Sequence, residues 1–133
     1  GLPNTVDVTA IHELPGGELV IGTLTEEVFL LRNGRWTRFG AEQGMPVNSA
    51  FFITHDRQGY VWVAGIRGIQ RIRLRDMQAL ADGDIERVQG EMLLNERGDR
   101  RGGQKGDCCN GAGNAKGFLF GGDLYLPTRS GLV

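Results

Sequence analysis

Apolar residues alternate with polar ones in short runs along this chain, and the same run returns three times. Gly17-Glu18-Leu19-Val20-Ile21-Gly22-Thr23, Gly59-Tyr60-Val61-Trp62-Val63-Ala64-Gly65 and Gly122-Asp123-Leu124-Tyr125-Leu126-Pro127-Thr128 align. Each opens on a turn glycine and carries two aliphatic residues at period 2. Between them lies a second apolar residue, Val20, Trp62 or Tyr125. An apolar residue on both faces of an alternating run predicts a strand buried on both sides. The period is 2 and not 3.6, which excludes helical solenoids.

A second marker supports the repeat. Gly1-Leu2-Pro3-Asn4 matches Gly44-Met45-Pro46-Val47, 43 residues on, while Gly17 and Gly59 stand 42 apart. The third copy comes 63 residues after the second, so the second unit carries roughly twenty additional residues. A period of about 40–45 residues with four strands per unit is the pattern of a propeller blade. The fold class expected is therefore all-β: a β-propeller fragment of about two and a half four-stranded antiparallel blades.

The first blade, 1–43, is expected to hold strands at Val6–Leu14, Leu19–Thr23, Val28–Arg32 and Arg35–Phe39, with Asn33-Gly34 as a type I′ hairpin signal. The second, 44–94, is expected at Ser49–Asp56, Tyr60–Gly65, Ile69–Leu74 and Ile85–Leu94. It contains a helical insert near 76–82, with Asp76 in a cap-like position ahead of Met77-Gln78-Ala79-Leu80-Ala81. Residues 95–114 are expected to form a Gly-rich polar loop, mobile over 95–106, and 115–133 a partial third blade.

Composition adds exclusions. The 133 residues carry a net charge of -1, which argues against a dedicated nucleic-acid or anionic-membrane binder. No apolar run of bilayer-spanning length is present, and no signal peptide is recognisable in a sequence that starts in mid-pattern. Two cysteines are too few for a disulfide framework or a cysteine-based zinc site.

These motifs together carry a resemblance to a known family. Asp56-Arg57-Gln58-Gly59 leading into Val61-Trp62-Val63, then Ile66-Arg67-Gly68-Ile69, resembles the two-component regulator propeller repeat. Asp123-Leu124-Tyr125-Leu126-Pro127-Thr128-Arg129-Ser130-Gly131-Leu132 is similar to that family's closing blade, and Asn110-Gly111-Ala112-Gly113 to the "NGG" that precedes it. Residues 76–106 lie outside the likeness. The first copy departs from the pattern, with Glu27 in place of a glycine and Val20 in place of the usual tryptophan. The resemblance implies a ligand-sensing, extracytoplasmic (periplasmic) part of a dimeric inner-membrane receptor. The parent chain would continue into a histidine kinase or diguanylate cyclase module.

Several motifs invite a chemical reading. Gly121-Gly122-Asp123-Leu124-Tyr125 resembles the GGDEF turn of diguanylate cyclases, but Leu124 replaces the acidic residue that would hold metal and phosphate, so a blade hairpin is expected. Gly111-Ala112-Gly113-Asn114-Ala115-Lys116-Gly117 fits neither phosphate-loop template, because a strand and not a helix follows. Cys108-Cys109 reads as two small thiols in preference to a strained vicinal disulfide. His12 and His55 fall at different positions of their repeats and are expected to be separate surface or strand-end residues, with no metal bound between them. Trp62 and Tyr125 share a column and are expected to pack between neighbouring blades. Arg97, Arg100, Arg101 and Lys105, diluted by Glu96 and Asp99, read as a solvated loop.

No catalytic residue, metal or cofactor is expected in this fragment. The ligand-binding candidates are Cys108, Cys109, Asn110 and Asn114, where a Gly-rich stretch breaks the repeat at what would be a channel mouth. The partner expected is a small molecule or saccharide, not nucleic acid. Further blades, or self-association, would cover the open blade faces. Two other functions fit the architecture: a propeller enzyme of lyase or glycosidase type, which needs carboxylates converging on the channel, and a protein-interaction scaffold.

Overall fold

Hairpin chemistry orders the chain into two antiparallel meanders. The computed structural model describes residues 7–25, 27–65 and 67–95, and four short strands between 118 and 132. The first sheet has the order β1 (Val8–Glu13), β2 (Leu19–Thr23), β3 (Val28–Arg32), β4 (Arg35–Phe39). The second has the order β5 (Phe52–His55), β6 (Tyr60–Gly65), β7 (Gly68–Arg73), β8 (Glu91–Asn95). Every neighbour in both sheets is antiparallel. The β3–β4 turn holds Asn33 at φ 52° and Gly34 at φ 74°, the two positive angles that the Asn-Gly signal predicts for a type I′ turn.

The two sheets share one core. Val20, Val28, Leu30 and Phe39 of the first pack with Ile53, Val61, Val63 and Ile72 of the second, joined by Leu14, Met45, Ala50, Met77 and Val88. Strand alternation explains which residues enter this seam: Val61 and Val63 face it, so Trp62 between them faces away. Val20, which shares the column of Trp62, packs in the seam, while Trp62 lies on the face of the second sheet turned away from the first. Thr23, Asn48, Ser49, Thr54 and Gln70 are the buried polar residues among those described, and Gln70 Oε1 lacks a donor.

The segment joining β4 to β5 is stitched to both sheets. Ala50 donates its N–H to the Thr23 carbonyl at 3.0 Å and Phe51 to the Ala64 carbonyl at 2.8 Å, while the Thr9 hydroxyl donates to the Ala50 carbonyl. Residues 49–51, expected to be strand, are used for this bridge, and β5 starts at Phe52.

Helix α1 spans Leu74–Ala81. It starts two residues before the expected boundary, directly after β7. Arg73 occupies the N-cap and makes no side-chain cap bond, and Asp76 lies inside the first turn, where its charge suits the positive helix end. The helix packs against β3 and β7 and buries Met77 completely. Its polar flank is held by the first sheet. Gln78 Nε2 donates to Glu18 Oε1 at 2.8 Å, and Arg32 joins Glu18 at 3.0 Å and the C-capping Asp82 at 3.0 Å.

The strand expected over Ile85–Leu94 is shorter. Residues 84–90 run against the β4–β5 connection, with Val88 N–H on the Gln43 carbonyl at 2.8 Å and Gly90 N–H on the Gly44 carbonyl at 3.2 Å. Their backbone donors are therefore spent before β8 begins at Glu91. Asn95, placed in the polar loop by its composition, is the last residue of β8.

Near the end of the chain, β9 (Phe118–Phe120) pairs with β10 (Asp123–Tyr125), Phe120 opposite Asp123. Strand β11 (Pro127–Thr128) pairs with β12 (Gly131–Leu132). This pairing agrees with the hairpin expected around Gly121-Gly122, which themselves lie outside the described residues.

Candidate functional site at the seam of the two sheets

Strands β1 and β5 are the first strands of their sheets and lie against each other. Near their C-terminal ends they carry His12 and His55. These two side chains meet: His12 Nε2 lies 2.7 Å from His55 Nδ1, with ring centroids 5.0 Å apart and planes tilted by 43°. One ring donates its N–H and the other accepts. Both are half-buried. Each stands opposite a fully buried valine of the next strand, His12 opposite Val20 and His55 opposite Val61, so the imidazoles close one end of the apolar seam.

Repeat arithmetic explains why they meet. The histidines are 43 residues apart, and the central strands repeat every 42. The residue equivalent to His12 is Thr54, which stands opposite Trp62. A one-residue offset turns a strand side chain to the other face. His12 therefore looks forward out of the first sheet and His55 backward out of the second, into the same seam. The expectation of two separate strand-end residues is corrected on this point: both lie at strand ends, and they form a pair. The signal was present in the sequence, because stacked identical units bring together residues on opposite faces, not residues in the same column.

Burial, and then the neighbouring His55 ring, hold the His12 imidazole below its ordinary value of 6.5. Unfolded His12 therefore takes up a proton at higher pH than folded His12. The folded state is fully favoured above about 6.5, and that advantage is lost as pH falls from 6.5 towards the lower folded value. The expected result is a melting temperature that drops between pH 7.5 and 5.5, with a flatter profile in His12→Gln. Parallel melts of the two proteins check it, and equal slopes would refute it.

Beside the pair, Asp56 is committed to its own hairpin. Its Oδ1 accepts the N–H groups of Gln58 at 2.8 Å and Tyr60 at 2.9 Å, and Oδ2 accepts the Trp62 indole N–H at 2.8 Å. Burial pushes this carboxyl up. The bonds from Trp62, Tyr60 and Gln58, with Arg71 nearby, outweigh it and hold the group below the ordinary carboxylate range. Asp56→Ala should cost about 1–2 kcal/mol by chemical denaturation, since a charged acceptor of three donors is lost at a partly exposed turn. The deficit should shrink as pH falls through the native carboxyl value, where the wild-type group also loses its charge. A pH-independent deficit would contradict this account.

On the face of the second sheet away from the seam, the Arg71 guanidinium lies 4.2 Å from the Tyr60 ring centre and 5.8 Å from that of Trp62, and its Nε is 3.1 Å from Glu91 Oε2. Arg73 also approaches Tyr60, at 5.2 Å. This is a cation–π arrangement on an aromatic surface.

The residues proposed from sequence for ligand binding, Cys108, Cys109, Asn110 and Asn114, lie outside the described residues, as do Arg97, Arg100, Arg101 and Lys105. The side chain of Tyr125 is likewise outside them. Among the described residues no three His, Cys, Asp or Glu side chains gather into a metal-holding group, and no helix is long and apolar enough to cross a membrane. Compared with protein-family models, curated proteins and solved structures, the chain finds no match in any of the three.

Proposed function

We propose that the chain comprises two blades and the beginning of a third from a β-propeller, acting as the non-catalytic, ligand-sensing part of a bacterial membrane signalling receptor of the two-component or diguanylate cyclase type. The observation that carries this reading is the pair of successive four-stranded meanders, stacked face to face with their first strands in contact. Propeller blades stack in this way around a channel lined by first strands. The chain also passes from the last strand of one sheet to the first strand of the next, as it would between blades.

The outer faces agree with an array that continues. Ile11, which alternates with His12 and so points away from the seam, is 66% exposed. The aromatic face of Tyr60 and Trp62 lies on the opposite side of the two-sheet stack. Surfaces of this kind call for further blades or a second copy. The non-catalytic part of the reading draws support from two partly buried carboxylates, Asp56 and Glu18, which are both occupied by structural donors.

The test is a thermal-shift screen of saccharides and small metabolites, with mass spectrometry on every compound that stabilises the protein. The sensor reading expects ligands recovered unchanged, and turnover would overturn it. The receptor assignment is tested separately by the coding sequence of the parent gene. Continuation into a membrane helix and a kinase or cyclase module supports it, and a gene encoding neither would sink it.

A further inference from the structure

We infer that His12 and His55 form a two-histidine binding site for a divalent transition metal such as Zn²⁺, joining the first strands of the two sheets. The inference does not rest on the sensor reading. Imidazole nitrogens suit Zn²⁺, Cu²⁺ and Ni²⁺, whereas Mg²⁺ and Ca²⁺ require oxygen ligands. The two nitrogens that face each other, His12 Nε2 and His55 Nδ1, come from different sheets and lie 2.7 Å apart. Zinc–nitrogen bonds of about 2.0–2.1 Å in a tetrahedral arrangement place two nitrogens a little over 3 Å apart. Opening the pair by about 0.6 Å and tilting each ring by about 35°, so that both lone pairs point at the ion, admits it between them. The rings are half-buried, so one side of the site reaches solvent, and water completes the coordination, no third His, Cys, Asp or Glu being gathered there among the described residues.

The protons balance without a co-reactant. In the neutral pair one ring donates from the facing nitrogen and the other presents a lone pair. Metal binding requires a lone pair on both. The donating ring moves its proton to its far nitrogen, His12 to Nδ1 or His55 to Nε2, and no proton is released. Where the pair carries an additional proton, that proton must leave, so affinity falls with acid. The acidic residues next to the pair in the chain do not supply a competing charge: Asp56 is engaged by Gln58, Tyr60 and Trp62, and Glu13 is exposed on the opposite face of β1.

The experiment is isothermal titration of the untagged chain with Zn²⁺ at pH 7.5 and 5.5, with Mg²⁺ as the control, on wild type, His12→Gln and His55→Gln. Removing a partner that merely orients a ligand costs about 10–100-fold in metal affinity, so removing a ligand should cost no less. The expected result is one Zn²⁺ per chain at pH 7.5, weaker binding at pH 5.5, at least a tenfold loss in each variant, and no heat with Mg²⁺. Histidine ring resonances read in parallel by NMR should move for both residues together when Zn²⁺ is added to the wild type. Zn²⁺ binding of equal strength in wild type and both variants would overturn the inference. So would a wild-type protein whose histidine resonances respond to pH and not to the metal.

Discussion

Replacing Phe39 by alanine should remove about 3–5 kcal/mol of folding stability, the range for truncating a fully buried aromatic side chain. Phe39 is 0% exposed and is among the largest side chains completely enclosed in the seam. It ends β4 opposite Val28 and stands just before the segment that crosses to the second sheet. Its loss therefore opens a cavity where neither sheet can close it alone. Domains of this size have only about 5–15 kcal/mol in total, so the variant should be marginally folded at room temperature. Urea unfolding followed by tryptophan fluorescence measures the effect. A loss under about 1 kcal/mol would mean that the seam collapses freely around the gap.

The second large effect is expected at Gly65. A methyl group there would lie 1.6 Å from the Ser49 carbonyl oxygen and 2.4 Å from Asn48 Oδ1. Neither neighbour can yield cheaply. Asn48 is 2% exposed and is held at both ends, Nδ2 donating to the Gly68 carbonyl at 3.0 Å and Oδ1 accepting the Arg67 N–H at 2.9 Å. Gly65→Ala should cost about 3 kcal/mol or more, at the upper end of overpacking penalties. Gly59→Ala is the control. Its Cβ meets open space, but at φ +88° it occupies a left-handed conformation, with a cost of roughly 1–2 kcal/mol. If Gly65→Ala proved no worse than Gly59→Ala by urea unfolding, the bracket around Asn48 would be softer than its hydrogen bonds imply.

These two positions show what the sequence makes legible. The strands Leu19–Thr23, Val28–Arg32, Arg35–Phe39 and Tyr60–Gly65 are readable because alternation and turn glycines are local properties of the chain. The small residues that close the central strands are visible too, but their reason is not. Gly22 is small because Ala50 crosses it, and Gly65 because Asn48 and Ser49 do. Such crossings come from a distant segment. The same holds for residues 84–90, whose composition allows a strand and whose backbone is instead taken up by the β4–β5 connection.

The candidate site was legible in a different degree. Both histidines are evident in the sequence, and their one-residue offset against the repeat is countable. Reading that offset as a contact requires knowing that the sheets stack with opposite faces together, which alternation within a single strand does not reveal. The trio of Asp56, Trp62 and Arg71 was half visible: Asp56 as a turn residue, Trp62 as a column, and their bond only in three dimensions.

Helix α1 grows out of the second sheet yet is gripped by Glu18 and Arg32 of the first, across the third strands, while the histidines join the first strands. The seam is thus fastened on both flanks. Amide hydrogens of β2, β3, β6 and β7 should accordingly exchange with solvent at one common rate, set by concerted opening of both sheets, and neither sheet should unzip while the other stays closed.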